Sequence, residues 1–329
     1  HEKCKNCGRC MQSCPYHAII HLPVPCETSC PVGAIAKNEY GHAEIDPAKC
    51  ISCGKCREAC PFGAVAECSH IIDILTAIKT AKKPVVAMLA PSIVGQLGDD
   101  FKKLRAAIKL LGFSDVIDVA IGADITIKEE AKEITERLEA GEPFMTTSCC
   151  PAYVNSVKKH IPSLEKFVSQ TKSPMHYTAE LVKKENKEAI TVFIGPCTAK
   201  RAEAMADQFT DYVLTFEEIE ALFIAKNIVV QDINADDNKL ESSADAKRFP
   251  IIGNVAAAVN NSLAEKKVRA TIIDGLTKEN MTKLADIAKN GCGAELLEVM
   301  SCSGGCVAGP CSLKRPNITT FAVNKNAEE

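Results

Sequence analysis

The sequence predicts an α+β iron–sulfur module followed by a larger α/β domain built on parallel sheets. Two cysteine runs predict the module. Cys4, Cys7, Cys10 and Cys14 before Pro15 spell C-x2-C-x2-C-x3-C-P, and Cys50, Cys53, Cys56 and Cys60 before Pro61 spell it again. The larger domain is predicted by short apolar strands that alternate with helical patterns from Pro84 onward, as in a parallel sheet covered on both faces. At 329 residues and 46% hydrophobic content the chain has room for two domains and a sizeable core. A net charge of −3 gives no electrostatic case for nucleic acid or an anionic membrane. Eighteen clustered cysteines in a chain of this length point to metal in a reducing compartment rather than to a disulfide scaffold. No apolar run approaches the roughly 20 residues of a membrane span. The chain opens three residues before Cys4 without a Met, so upstream residues are expected.

The x2-x2-x3 register is that of two-cluster bacterial ferredoxins, in which the fourth cysteine of each run ligates the other cluster. Zinc knuckles seldom repeat it. Cys4, Cys7, Cys10 and Cys60 are therefore assigned to one [4Fe–4S] cube, and Cys50, Cys53, Cys56 and Cys14 to a second, together a wire for single electrons. Between the runs, the segment Cys26 to Ile35 (CETSCPVGAI) copies the tail of each run and reads as a partial internal duplication. Cys30 is an alternative to Cys14 as the swapped ligand; otherwise Cys26 and Cys30 are idle thiols or a redox pair.

Ser69–Lys82 carries apolar residues at 71, 72, 74, 75 and 78, a helical period, and Lys83-Pro84 closes it. Cys68, just before it, reads as a small buried apolar residue. Pro84–Ser92 and Asp115–Ile121 read as strands with a helix over Phe101–Leu111 between them. Ile190–Cys197 is a strand followed by a loop at its carboxyl end, where open α/β sheets place their sites. Helices are expected over Phe216–Lys226, Asn254–Lys266 and Lys278–Lys289, and strands over Val268–Ile273 and Leu296–Met300.

Three further segments bring cysteines to this domain: TSCCPAY (Thr147–Tyr153), GPCTAKRAE (Gly195–Glu203) and EVMSCSGGCVAGPC (Glu298–Cys311). Cys150, Cys197, Cys302 and Cys306 supply the four thiolates that a cube needs. In this order the segments resemble the signature motifs of the [FeFe] hydrogenases, and the likeness covers nearly the whole chain. The resemblance implies a ferredoxin-like α+β domain (1–68), a linker helix (69–83) and a two-lobed α/β catalytic domain with parallel sheets (84–329). It implies an H-cluster, in which a cube on those four cysteines is bridged through Cys306 to a two-iron centre carrying CO, cyanide and a dithiolate amine. Cys149 falls on the thiol that passes protons to the amine, and Lys200 on the lysine that hydrogen-bonds a cyanide. Ala90, Pro91 and Ser92 match the segment lining the other cyanide, and Met300 would pack its thioether against the cluster.

Thr126–Leu138 reads as a helix with Thr126 able to cap it and Glu129 three residues on. Glu130, Glu133 and Arg137 share one face. From pattern alone this is a solvated charged face; by resemblance these positions and Ser169 are a proton path, ordered Cys149–Glu133–Ser169–Glu130 to solvent near Arg137. Glu203 offers a second polar route. The chain departs from the family at Gly195 (usually Met), Tyr153 (usually Trp) and Met175 (commonly Gln). It also ends its third motif in GPC, which makes Cys311 an extra thiol, and stops 18 residues later, short of the usual extension. Cys292 reads as a buried structural thiol. The expected activity is 2H⁺ + 2e⁻ ⇌ H₂, with H₂ and protons as substrates, a soluble ferredoxin-like electron carrier, maturation enzymes for the two-iron centre, and a cytoplasmic setting in an anaerobic cell. The other classes to weigh are an iron–sulfur assembly or scaffold protein without the two-iron centre, and a redox sensor. The carboxylates and Cys149 separate them, because a scaffold has no use for a proton relay.

Overall fold

The computed structural model describes residues 9–19, 24–80, 82–236, 242–263 and 267–328. Cys4 and Cys7 lie outside the described residues. The first module holds helices α1 (Arg9–Ser13) and α2 (Pro25–Ser29), the antiparallel hairpin β1 (Ile35–Lys37) and β2 (Ala43–Ile45), and α3 (Lys55–Glu58). Cys26, Cys30, Ala34 and Ile35 form its small core, with Cys50 and Cys56 packed against it. So short a hairpin is marginal alone. It is clamped by α2, which packs on both β1 and α3.

Helix α4 (Ile71–Thr80) follows, with Ile74 sunk into the large core. Cys68 does not fulfil its expected burial: it is exposed, because its backbone carbonyl, not its thiol, is what Arg201 engages. From here strands and helices alternate: β3 (Val85–Leu89), α5 (Phe101–Leu110), β4 (Asp115–Asp118), α6 (Ala120–Glu139), β5 (Met145–Thr146), α7 (Pro151–His160) and α8 (Pro174–Glu185). Then come β6 (Ile190–Gly195), α9 (Ala199–Ala206), β7 (Tyr212–Thr215) and α10 (Phe216–Ala225). The chain continues through α11 (Ala244–Arg248), α12 (Asn254–Ser262), β8 (Ala270–Asp274), α13 (Lys278–Asn290), β9 (Leu296–Met300) and α14 (Pro316–Glu328).

The strands form two all-parallel sheets, one ordered β4-β3-β6-β7 and the other β5-β9-β8. Each centres one lobe. Every residue of β3 and β9 is buried, which is why these strands read as continuous apolar runs rather than as alternating ones. The carboxyl ends of β3, β5, β6 and β9 lead directly into Ala90–Ser92, Cys149–Cys150, Cys197 and Ser301–Cys302. The two sheets thus deliver their loops to one place, as open parallel sheets do.

Helix α6 begins six residues earlier than expected. The strand stops at Asp118, whose Oδ1 accepts from Ala120 N at 2.9 Å and satisfies an orphan donor of the first turn. Thr126 is therefore no cap but an interior residue, its hydroxyl donating to Gly122 O at 3.1 Å. The buried stripe Ala123, Ile127, Glu130 and Ile134 runs at helical spacing, with Glu130 inside it.

Gly122 lets α6 and α8 cross at close range. A Cβ there would stand 2.2 Å from Pro174 O and 2.4 Å from Thr178 Oγ1. Gly122→Ala should lower stability by about 1–3 kcal/mol through overpacking, read as a drop in melting temperature. An unchanged melting temperature would show that the helices separate without cost.

Candidate metal centre and its acidic wall

Cys150, Cys197, Cys302 and Cys306 line a single cavity between the lobes, together with Cys53 of the first module, Ala90, Pro91, Ser92, Cys149, Lys200 and Met300. The four cysteines lie on three separate segments of the sequence, and the structure brings them together. Burial pushes all four thiols above their ordinary range, Cys197 and Cys306 to about 12, and each thiolate's charge raises its neighbours further. Only a cationic occupant reverses that balance, by taking the protons' place on sulfur. Among the described residues no three His, Cys, Asp or Glu side chains converge tightly enough for a single ion. The thiols instead surround a space, which suits a polynuclear cluster. Ser92 Oγ and Ser301 Oγ, both buried at this cavity, have no hydrogen-bond partner. Such orphans are costly unless a ligand satisfies them. The donor set, the orphans and the one lysine fit an anionic iron–sulfur group with accepting ligands.

Lys200 is not the surface lysine that its position on α9 suggests; it is buried at the cavity wall. Burial works against its charge, but Glu203 at 2.7 Å and the thiols Cys197 and Cys149 more than offset that and hold it cationic. Glu203 also pairs with Ser173. Met300 and Cys149 are buried in one apolar cluster beside Cys150.

The two carboxylates on α6 have opposite environments. Glu130 is fully buried, and desolvation pushes its pKa up to about 8, only partly offset by Ser148 N, which donates to Oε1 at 3.2 Å. Its Oε2 has no partner. Glu133 also feels desolvation, but Ser169 Oγ at 2.6 Å, the backbone of Gln170, Thr171 and Arg137 outweigh it and hold the carboxylate below its usual range. Arg137 is itself tied to Glu142 and to the carbonyls of Lys166 and Val168. The expected order is therefore reversed. Glu130, whose charge bears directly on Cys149, is the inner acid, and Glu133 with Ser169 and Arg137 is the outer group. The physical reason is helix rotation: residues three apart share a face, yet only one of them falls on the stripe facing the core.

One carboxylate went unread. Glu298 opens the third motif, is fully buried, and accepts from Gly253 N at 2.7 Å and Ala256 N at 2.8 Å at the start of α12. It anchors β9 to that helix, and no spacing signal marks it. Cys311 is buried, close to Arg57 and Glu67 rather than among the four cavity thiols. Cys292 is half-buried, donating to Ala294 O at 3.0 Å.

The second cysteine run is bolted to this domain. Lys55 Nζ donates to Leu276 O at 2.7 Å, Thr198 Oγ1 to Ser52 O at 2.8 Å, and Lys159 Nζ to Cys50 O at 2.6 Å. Arg57 pairs with Glu217 and donates to Pro310 O at 3.0 Å. Gly54, at φ +77°, lies so close that a Cβ would meet Pro310 Cγ at 2.6 Å. Around Cys53 stand Cys50, Cys56 and Cys30, all lining one pocket. The structure does not bring the expected Cys14 into this group. Its nearest polar surroundings are the backbone of its own loop, as Cys60's are of its own. Cys10 is exposed.

Residues 83–310 match the model of the iron only hydrogenase large subunit, C-terminal domain, and residues 1–20 and 43–66 match a 4Fe-4S binding domain. The chain belongs to the iron-only hydrogenase family. It is 29% identical over 303 residues to iron hydrogenase 1 of Clostridium pasteurianum, an alignment covering 75% of this chain and 53% of that protein. It is also 26% identical over 162 residues to a probable cytosolic Fe-S cluster assembly factor of Nematostella vectensis, covering 44% of this chain and 37% of that one. The chain spans about half the length of the first curated relatives it matches. Its fold superimposes on an [FeFe]-hydrogenase of Chlamydomonas reinhardtii with a TM-score of 0.63 at 22% identity, covering 80% of this chain and 89% of that one.

The buried acid has a thermodynamic signature. Glu130 has a folded pKa of about 8 against 4.5 when unfolded, so between those values the unfolded chain binds fewer protons and stability falls as pH rises. Glu130→Gln, which is neutral throughout, should therefore gain melting temperature over the parent as pH goes from about 5 to 8. A constant difference across that range would show that the carboxyl is not held protonated.

Proposed function

We propose that the protein is a hydrogenase, catalysing 2H⁺ + 2e⁻ ⇌ H₂. The observation that carries this reading is the pairing of a four-thiol cavity with a buried acid, Glu130, poised to hold a proton at neutral pH beside Cys149. In this reading Cys150, Cys197, Cys302 and Cys306 would hold the H-cluster, and Cys306 would also hold its two-iron part. When bound, that group supplies the redox-active metal at which protons and electrons combine. The chain does the rest. Lys200 offers a fixed cation to the group's anionic side, preorganised by Glu203. Ser92 and Ser301 offer hydroxyls, while Ala90, Pro91 and Met300 keep water away.

Protons move along the wall. Glu133, pinned by Arg137 and Ser169, collects them at the surface; Glu130 holds one inside; Cys149 presents it to the cavity. A group whose pKa lies near the working pH both accepts and releases at little cost, and Glu130 alone on this wall satisfies that. The cysteines of the first module, of which Cys53 lines the cavity wall, would hold clusters that supply one-electron chemistry, with a soluble ferredoxin-type carrier as the electron partner. Maturation enzymes install the two-iron part. In this scheme 1–68 is the electron-transfer domain, 69–83 the linker and 84–329 the catalytic domain. No described helix is long and apolar enough to cross a membrane.

A second reading is supported by the similarity to the assembly factor: a cluster-bearing protein without the two-iron part. Infrared spectroscopy separates the two. The matured protein should show CO and CN stretching bands, lost in Cys306→Ser, and should carry roughly 14 Fe per chain with two cubes and the six-iron centre. Iron limited to cubes, with no such bands after maturation, would establish the second reading. Glu130→Gln and Cys149→Ala should keep the bands and lower H₂ turnover by two or more orders of magnitude, because each removes a proton carrier. Glu129→Gln, exposed and one position round the helix, should change turnover less than about twofold. Equal effects at Glu129 and Glu130 would exclude the relay.

A further inference from the structure

We infer that Cys30, and not Cys14, is the fourth ligand of the cube held by Cys50, Cys53 and Cys56. This rests on the reading that the second run carries a cube, but not on hydrogen chemistry. In a two-cluster module the tail cysteine of one half ligates the cluster of the half packed against it. The half packed against α3 is α2, whereas α1 makes no comparable contact with α3. Cys26 lies in the first turn of α2 and Cys30 just past its end, with the same three-residue spacing and the same following Pro as Cys56 in α3 and Cys60 just past it. The geometry of the two tails also agrees: Ala34 N donates to Cys30 Sγ at 3.2 Å, and Ala64 N to Cys60 Sγ at 3.3 Å. The duplicated segment is thus a structural half of the module rather than a lengthened loop.

Two observations place Cys30 at the second run. It is buried in the core against which Cys50 and Cys56 pack. It lines one pocket with Cys50, Cys53 and Cys56. Backbone amides donate to Cys30 and, through Ser52 N at 3.4 Å, to Cys50, the donors a cluster-bound thiolate requires. The Cys14 tail has amide donors of the same kind, so the shared core and pocket, in neither of which Cys14 takes part, are what separate the two. On assembly each of the four thiols releases its proton to solvent as one Fe–S bond forms, and no electron is transferred. Cys53 also lines the central cavity with Cys302, so the cube completed by Cys30 is the one that adjoins the catalytic domain.

The test compares three variants of the full chain, purified without oxygen: Cys53→Ser, Cys30→Ser and Cys14→Ser. Cys53→Ser identifies the EPR signal of this cube in the dithionite-reduced protein. Cys30→Ser should lose or shift that same signal, with up to about four Fe lost per chain, and Cys14→Ser should leave it unchanged. Retention in Cys30→Ser with loss in Cys14→Ser would overturn the assignment. If Cys30→Ser does not fold, Cys14→Ser decides alone: a retained signal supports Cys30 and a lost one restores Cys14. Infrared bands at the central site report separately on the hydrogenase reading, so the two failures are distinguishable.

Discussion

Four thiols that share one apolar cavity repel one another as soon as they ionise, and burial makes ionisation harder still. Left to itself such a site holds neutral thiols, crowded and poorly packed; a cationic metal core is what makes it favourable. The rest of the domain exists to hold that unfavourable arrangement in place. No single element can do so, because the cysteines come from β5, β6 and the loop after β9. Two parallel sheets, whose strands β3, β6 and β9 are buried, fix the carboxyl ends of those strands, and the geometry of parallel sheets turns every one of those ends toward the same side. Glu298, Gly122 and the close contacts of Gly54 lock the pieces around it.

In the proposed reading, charge would reach that closed site from two directions on separate structures. The electron side is where the second cysteine run is held by hydrogen bonds to both lobes, through Lys159 and Lys55 on one and Thr198 and Arg57 on the other. These polar contacts, with Ile51 packed into the apolar core of one lobe, hold Cys53 at the cavity wall. The proton side of that reading is α6, whose rotation puts Glu130 in the core and Glu133 at the rim. The two acids sit one turn apart and have opposite pKa shifts, since one has Ser148 alone to offset its burial and the other has several partners. A gradient of hydrogen bonding along a single helix thus separates a buried acid whose pKa is raised from a rim acid whose pKa is lowered.

Much of this was legible from residues alone. Cysteine spacing identified iron–sulfur ligation because cluster geometry tolerates few registers, and continuous apolar runs at 85–89 and 296–300 announced buried parallel strands. The three cysteine segments carried the family, and with it the candidates Lys200, Cys149, Ala90 and Met300, all of which line or adjoin the cavity. Short-range signals were less faithful where tertiary packing competed with them. Thr126 looks like a cap but is interior, since α6 continues upstream to meet Asp118.

What the sequence by itself determined is the chemistry on offer: which thiols, which acids and which lysine, because those are properties of residue type and spacing. The tertiary structure alone decided their use. Glu130 and Glu133 are indistinguishable by type and face, and only packing against α8, α11 and α12 desolvates the first. Cys14 and Cys30 end identical C-P tails, and only the contact of α2 with α3 separates them. Burial and proximity are set by residues distant in the chain, and a local pattern carries no information about which neighbours arrive.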